Sequence, residues 1–336
     1  MKKVFSFLLV TLFAVTLFSQ NKTDEKGRKQ GVWSKTNKKG VKLYEGTFID
    51  DKETGVFKYY YQSGKLRAIT EFSDDGHKGK TTNYYPDGQV MAEGFYFDRK
   101  QDSLWKTYTQ DGKKLSENFY CKGSKEGTWK VWNRDGKIVE EIHYSNNKKN
   151  GLCLQGTFDG GYFNCNYKDD LRDGEYKEYY RTGELRVIGQ YKADKKEGVW
   201  SIYDDTQVIA KQTFVNDIQI SFEVALVEAE KDRFVDIESI SYFYSKGKQT
   251  VVVLNNGENV NVLKDYQYLV ELSDGATFLR LNEKLNLYAS LQALKGIEAT
   301  DDGNYYIKLY PEPPFKVVTD ENSKKAMEFI FAPQDF

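Results

Sequence analysis

Histidine is almost absent, with 2 in 336 residues. That leaves too few imidazoles for His-based zinc sites or for catalysis that turns on histidine. The 3 cysteines exclude a small domain held together by disulfides. Charge of neither sign prevails: 49 basic residues stand against 50 acidic ones, a net of −1. A general nucleic-acid binder rests on an excess of Lys and Arg facing phosphates, so no nucleic acid is expected. There are only 5 Pro, and after the first twenty residues no apolar run is long enough to span a bilayer. What the chain has instead is 25 Tyr, 21 Phe, 5 Trp and 27 Gly at a mean hydropathy of −0.68. Aromatics and glycines in a polar chain point to short strands and tight turns. The length fits two domains.

The amino terminus reads as a secretory signal peptide over residues 1–20. Lys2 and Lys3 precede an apolar run from Val4 to Phe18, and Ser19-Gln20 gives way to the polar Asn21-Lys22-Thr23-Asp24-Glu25. The ending Phe-Ser-Gln resembles signal peptides of some Gram-negative bacteria, which places cleavage after Gln20. No cysteine follows the run, which argues against a lipid anchor. The expectation is an exported protein, periplasmic or secreted, in an oxidising compartment and with no transmembrane segment in the mature chain.

Internal repetition then decides the architecture. Gly31, Gly55, Gly79, Ser103, Gly127, Gly151, Gly174 and Gly198 open eight successive units, spaced by 24 residues except for one interval of 23. A second glycine follows nine residues later at Gly40, Gly64, Gly88, Gly112, Gly136, Gly160 and Gly183, and only the last unit lacks it, with Gln207. Each unit reads as a β-hairpin with a polar loop to the next, such as 122–126 or 146–150. Pro86-Asp87-Gly88 specifies a type I turn closed by a left-handed glycine, a three-residue loop with a bulge. With offsets counted from the opening residue, that turn predicts pairing between offsets that sum to sixteen. One face then carries aromatics at +5 and +17 and aliphatics at +11, and is the expected packing face. The other presents Trp33, Phe57, Trp105, Trp129, Tyr176 and Trp200 at +2, opposite Glu45, Glu93, Glu117 and Glu141 at +14.

This pattern resembles the MORN repeat, specifically the bacterial variant found in antitoxin-like proteins. The resemblance rests on the Gly-x-Trp/Phe-x-x-Tyr opening, the Asp-Gly turns (Asp87-Gly88, Asp111-Gly112, Asp135-Gly136, Asp159-Gly160) and the second-strand Glu93-Gly-Phe-Tyr96, Glu117-Asn-Phe-Tyr120 and Glu141-Ile-His-Tyr144. It covers Gly31 to about Asp217. It implies a mainly β fold, an elongated single sheet of stacked hairpins with binding or scaffolding roles and no active site in the repeats. The antitoxin label does not carry over, because an antitoxin meets its toxin in the cytoplasm and this chain reads as exported. Unit six departs from the pattern, with Cys153 at +2 and Gly156 at +5.

The expected domains are thus the signal peptide over 1–20, the repeat array over 21–217 and a small β-rich α+β domain over 218–336, whose 19 acidic and 12 basic residues give a net of −7. There, strands are expected at 218–227, 250–254, 266–272, 277–281, 305–310 and 327–331, with a hairpin turn at Ser273-Asp274-Gly275. A helix capped by Asn282 is expected to run to about Leu294.

Candidate chemistry is sparse. Cys153 and Cys165 fall at +2 and +14 of one unit, so they are either a disulfide or two separate buried thiols. His77 and His143 lie in non-adjacent units and read as a loop and a sheet residue, so no metal is expected. Asp301-Asp302-Gly303-Asn304 lacks the spacing of a calcium loop and reads as a turn. Asp232, Asp236 and Glu238 read as a solvated face. No catalytic residue and no cofactor is expected. The +2 aromatics are either core or an exposed binding column. The expected function is a non-catalytic, exported scaffold that binds a protein partner in the envelope or outside the cell. The alternative is a glycan or peptidoglycan binder whose aromatic column stacks on sugar rings.

Overall fold

The computed structural model describes residues 21–228, 232–273, 277–282, 285–299, 305–314 and 316–318. The expected leader over 1–20, the turn at Asp301–Asn304 and the strand at 327–331 lie outside the described residues, as do Asp274 and Gly275. The chain is mainly β, with twenty-one strands of antiparallel hairpin sheet followed by sheets of five and three strands. It divides into two compact units, residues 1–153 and 154–336. No helix among the described residues is long and apolar enough to cross a membrane.

In the first unit the hairpins open at Gly31, Gly55, Gly79, Ser103 and Gly127, and are numbered one to five. The turn at the far end of each is the one Pro86-Asp87-Gly88 predicts: Tyr85 N–H donates to Gln89 O at 2.8 Å and Gly88 N–H to Tyr85 O at 2.9 Å. Gly88 sits at φ +95°, a conformation that glycine alone adopts without cost. The register differs from the expected one. Gly55 pairs with Phe72 and Phe57 with Thr70, offsets summing to seventeen, and only the loop-proximal pair Tyr60–Leu66 sums to sixteen. A bulge between Tyr59 and Tyr60 absorbs the extra residue, so everything beyond it moves by one. The +2 side chain therefore shares its face with +13, +15 and +17, and the +14 glutamates belong to the other face with +1, +3 and +16.

The expected polar loops between hairpins are also tighter than their composition suggests. Asp50-Asp51, Asp98-Arg99 and Asn146-Asn147 have positive φ at both residues. Such two-residue connections suit the twist of antiparallel strands, and Asp and Asn tolerate the left-handed region. The next strand starts at once, as in Lys52–Tyr60, Lys100–Tyr108 and Lys148–Gly156.

Successive hairpins join through an aromatic ring laid on a bare backbone. Gly55 at φ +63° and Ser103 at φ +58° start their units in the left-handed region. The ladder slips beside them, between Glu45 and Thr47 and between Glu93 and Phe95. The slip carries the following +2 ring over the +15 glycine of the hairpin before. A Cβ at Gly46 would stand 2.4 Å from the Phe57 ring, and one at Gly94 2.4 Å from Trp105. Flanking +17 rings close the stack edge-on: Phe57 lies 5.1 Å from Phe48 and 5.2 Å from Phe72. Two hydrogen bonds repeat along the joints. Trp105 and Trp129 donate Nε1–H to Phe95 O and Phe119 O at 2.8 and 2.9 Å. Tyr60 and Tyr108 donate to Glu45 and Glu93 at 2.6 and 2.8 Å, and burial followed by the carboxylate pushes both phenols up to about 12, so they stay protonated donors.

In the second unit the hairpins opening at Gly174 and Gly198 repeat this joint, with a Cβ at Gly189 meeting the Trp200 ring at 2.2 Å. The ladder continues past Asp217: Ile218–Val227 pairs with Gln207–Val215 and with Asp232–Asp236. Val224 and Leu226 then pack with Ile240, Phe243 and Val252 in one core cluster. Alternate residues of the five-stranded sheet, Tyr242, Val251 and Val253, face a second cluster with Leu287, Ile307 and Leu309.

Two expected elements are corrected here. Gln267–Leu272 is an α-helix, not a strand, because six residues with adjacent buried positions at Tyr268 and Leu269 cannot be separated by period. The helix expected after Asn282 is instead the strand Leu287–Ser290, a 3₁₀ turn over Leu291–Ala293 and the strand Leu294–Ala299. Asn282 caps a turn by accepting from Leu285 N–H, and Leu291 faces water, which breaks the apolar stripe a helix needs.

Trp105→Ala is expected to cost about 3–5 kcal/mol in urea unfolding. Gly94→Ala should cost about 1–3 kcal/mol by overpacking against that ring. The two should be strongly non-additive: with Trp105 removed, Gly94→Ala becomes nearly neutral. Additive values in the double-mutant cycle would show that the ring does not rest on the glycine.

Candidate functional site

The +2 residues proposed from sequence as a binding column do not form an exposed surface. Phe57, Trp105 and Trp200 are 1–4 % exposed, while Trp33, Trp129 and Tyr176 are half-buried. Basic residues two positions before the opening residue help to cover the column. Lys125 Nζ lies 4.3 Å from the Trp129 ring centre, and Lys196 Nζ 4.6 Å from Trp200. The column is core, consistent with its rings resting on glycine.

The column is interrupted once in the first unit. Hairpin three carries Thr81 at +2, and the +15 residue before it is Thr70 instead of glycine. Gly79 alone among the opening residues lacks a positive φ. The ladder between hairpins two and three is accordingly straight, pairing Ala68–Asn83, Thr70–Thr81 and Phe72–Gly79. The two threonine hydroxyls, both buried, bond each other at 2.9 Å. Two methyl-bearing side chains replace a ring, and above them opens a cavity of about 680 Å³.

Phe72 and Tyr96, the +17 residues of hairpins two and three, line this trough together with Tyr59 and Tyr61. The residues two places before the opening positions of hairpins two and three are Glu53 and His77, so no lysine lies over the trough as it does over Trp129 and Trp200. Glu53 accepts from Arg99 at 3.2 Å. His77 Nδ1 meets Asp98 Oδ1 at 2.5 Å, and that carboxylate raises the imidazole above its ordinary value. Arg67 is exposed and reaches only the Tyr59 ring, 6.0 Å from its centre. Burial pushes the Tyr59 phenol up to about 12, so it stays neutral. The trough offers aromatic walls, two threonines as a floor and a guanidinium with no carboxylate partner among the described residues. The sequence carried the signal: Thr81 breaks the +2 aromatic series, and Glu53 and His77 break the basic series before it.

On the other face, apolar side chains point to solvent. Leu104 pairs directly with Phe119 across one hairpin, and Phe95 lies on the preceding strand. They are 39 %, 40 % and 45 % exposed.

The remaining sequence candidates stand apart from both places. Cys153 and Cys165 are disulfide-bonded and buried, and Cys121 is exposed and free. His143 contacts Thr128 Oγ1 at 3.0 Å. Asp236 caps the 3₁₀ turn Ile237–Ser239 by accepting from Glu238 N–H, and Asp232 is exposed. Among the described residues no cluster of three or more His, Cys, Asp or Glu is arranged to hold a metal.

Four segments, residues 53–74, 78–98, 125–146 and 172–193, match the family model described as MORN repeat variant. No curated protein is similar enough to count as a relative. Among solved structures, the chain is similar to the LytTr DNA-binding domain of a putative methyl-accepting/DNA response regulator from Bacillus cereus. That match has 14 % identity and a TM-score of 0.27, over 33 % of this chain and 96 % of that one. A structure titled TcdB2-TccC3-TEV matches at 10 % identity and a TM-score of 0.16, over 84 % of this chain and 15 % of that one. Likenesses this low carry no argument about function.

His77 is expected to titrate above the ordinary imidazole value, followed by its ring proton shifts in NMR. Asp98→Asn should bring it back down. The sign follows from the raised value: the pair's stabilisation is complete below the unfolded histidine pKa and is lost as pH rises through the folded one. A titration unmoved by Asp98→Asn would show that the contact does not hold the proton.

Proposed function

We propose that this chain is an exported, non-catalytic repeat scaffold that binds another protein in the cell envelope or outside the cell. The observation that carries the binding reading is the division of labour between the two faces of the repeat sheet. One face spends its aromatics on joining its own hairpins. The other holds Leu104, Phe119 and Phe95 in solvent on adjacent strands, and exposed apolar groups set together on a rigid sheet are the usual mark of a protein contact. The four matched repeats support a binding role, since proteins of this repeat type are generally non-catalytic. Export is supported by the leader-like residues 1–20 and by the disulfide-bonded state of Cys153 and Cys165, which persists in oxidising compartments. Burial of Phe57, Trp105 and Trp200 takes three of the six rings named for the glycan reading out of reach of a sugar, and Trp33, Trp129 and Tyr176 are half-buried.

Two measurements test the two halves. Protein recovered from the native host should begin at Asn21 and carry one free thiol; a chain starting at Met1 with three free thiols would overturn export. A photo-crosslinker at half-buried Lys106, two residues along the strand from Leu104 on the same face, should capture one defined protein, identified by mass spectrometry. Leu104→Thr with Phe119→Thr should abolish that capture while changing the urea midpoint only modestly, because both residues are exposed and threonine suits a strand. Capture that survives this double change would place the partner elsewhere.

A further inference from the structure

We infer that the trough between hairpins two and three is a receptor for an aromatic side chain that lies beside a carboxylate, presented by the bound partner. The inference rests on the protein-binding reading above, but it concerns the opposite face of the sheet and a different set of residues.

The shape argument comes from the repeat itself. At a complete joint, a +2 ring sits between the +17 rings of two neighbouring hairpins. Phe57 lies 5.1 and 5.2 Å from Phe48 and Phe72, and Trp129 lies 5.0 and 5.1 Å from Tyr120 and Tyr144. Between hairpins two and three the same two walls exist, Phe72 and Tyr96, yet the chain supplies Thr81 where the ring belongs. The Thr70 and Thr81 hydroxyls bond each other and Thr81 also donates to Ile69 O at 3.3 Å, so the floor asks for no further hydrogen bond. An incoming planar ring gains the edge-to-face contacts that the other joints make internally.

The charge argument selects the neighbour of that ring. Two basic side chains at the trough are already engaged, Arg99 with Glu53 and His77 with Asp98. Among the described residues no carboxylate engages Arg67, which stands over Tyr59 at the trough wall. A carboxylate adjacent to the incoming ring completes that guanidinium, whereas a lysine there would meet like charge. An aromatic residue flanked by Asp or Glu meets both requirements, and a neutral sugar, neither planar nor charged, meets neither.

The test uses the mature full-length chain and four probes: acetyl-Asp-Trp-Asp-amide, acetyl-Asp-Leu-Asp-amide, acetyl-Lys-Trp-Lys-amide and the neutral disaccharide GlcNAc–GlcNAc. Affinity is read by calorimetry and location by the NMR signals of the Thr70 and Thr81 methyl groups. The acidic tryptophan peptide should bind and shift both methyls. The leucine peptide should bind about tenfold more weakly, for want of the ring contacts. Arg67→Glu, a change at an exposed residue, should reverse the preference between the acidic and basic tryptophan peptides. Thr70→Gly with Thr81→Trp, which restores the sequence of a complete joint, should abolish binding by filling the slot with the chain's own ring. If that variant does not fold, the Arg67→Glu reversal and the leucine comparison decide. Equal affinity for the leucine peptide, an unchanged preference in Arg67→Glu, methyl shifts with the disaccharide alone, or no peptide binding at millimolar concentration would each overturn the inference. None of these outcomes touches the Leu104 and Phe119 capture experiment, so this inference can fail while the scaffold reading stands.

Discussion

An aromatic ring lying on a glycine holds the hairpin array together. At Gly46–Phe57, Gly94–Trp105 and Gly189–Trp200 the ring approaches so closely that no Cβ could stand between them. That contact explains several other features at once. The ladder slips beside it, and the opening residue of the next hairpin takes a left-handed conformation there. It places the indole Nε1 of Trp105 and Trp129 within reach of a carbonyl on the preceding strand. It also turns the aromatic column inward, which leaves the opposite face to carry the Tyr–Glu bonds and the exposed Leu104, Phe119 and Phe95.

The same rule shows by exception what a joint without a ring looks like. Thr70 and Thr81 replace glycine and ring together, Gly79 keeps an ordinary φ, and the ladder runs straight. Trp200 shows a milder departure: its ring rests on Gly189, but its buried Nε1–H has no acceptor among the described residues. An unmet donor of that kind costs about 1–3 kcal/mol, so the ring contact at this joint stands against a penalty, as the Trp129 joint does through the buried, unpartnered Oδ1 of Asn118.

Much of this was legible in the residues. The period, the hairpins and the three-residue turn followed from Gly spacing and from Pro86-Asp87-Gly88, because proline and glycine restrict the backbone locally. The register was misjudged by one, since the bulge between Tyr59 and Tyr60 changes the sum of paired offsets and no residue announces it. That single step exchanged Glu for Gly opposite the +2 rings and hid the reason for their burial. The trough was within reach of sequence, through the break at Thr81, but its meaning depended on the +2 to +15 pairing. Beyond Asp217 the repeat no longer disciplines the reading. The segments at 266–272 and 282–294 show the result, because short apolar runs take their conformation from tertiary packing.

The break at Thr70–Thr81 has a consequence for how the array comes apart. In a repeat protein, stability is close to a sum of unit terms and nearest-neighbour interface terms. An interface held by two threonines in place of a ring on glycine contributes less than its neighbours, so cooperativity is weakest at that seam. Partial opening therefore divides the first unit between hairpins two and three, with strands Leu66–Ser73 and Lys78–Tyr84 as the parting edges. A ligand seated across them would act as a splint, converting two loosely coupled blocks of hairpins into one cooperative body.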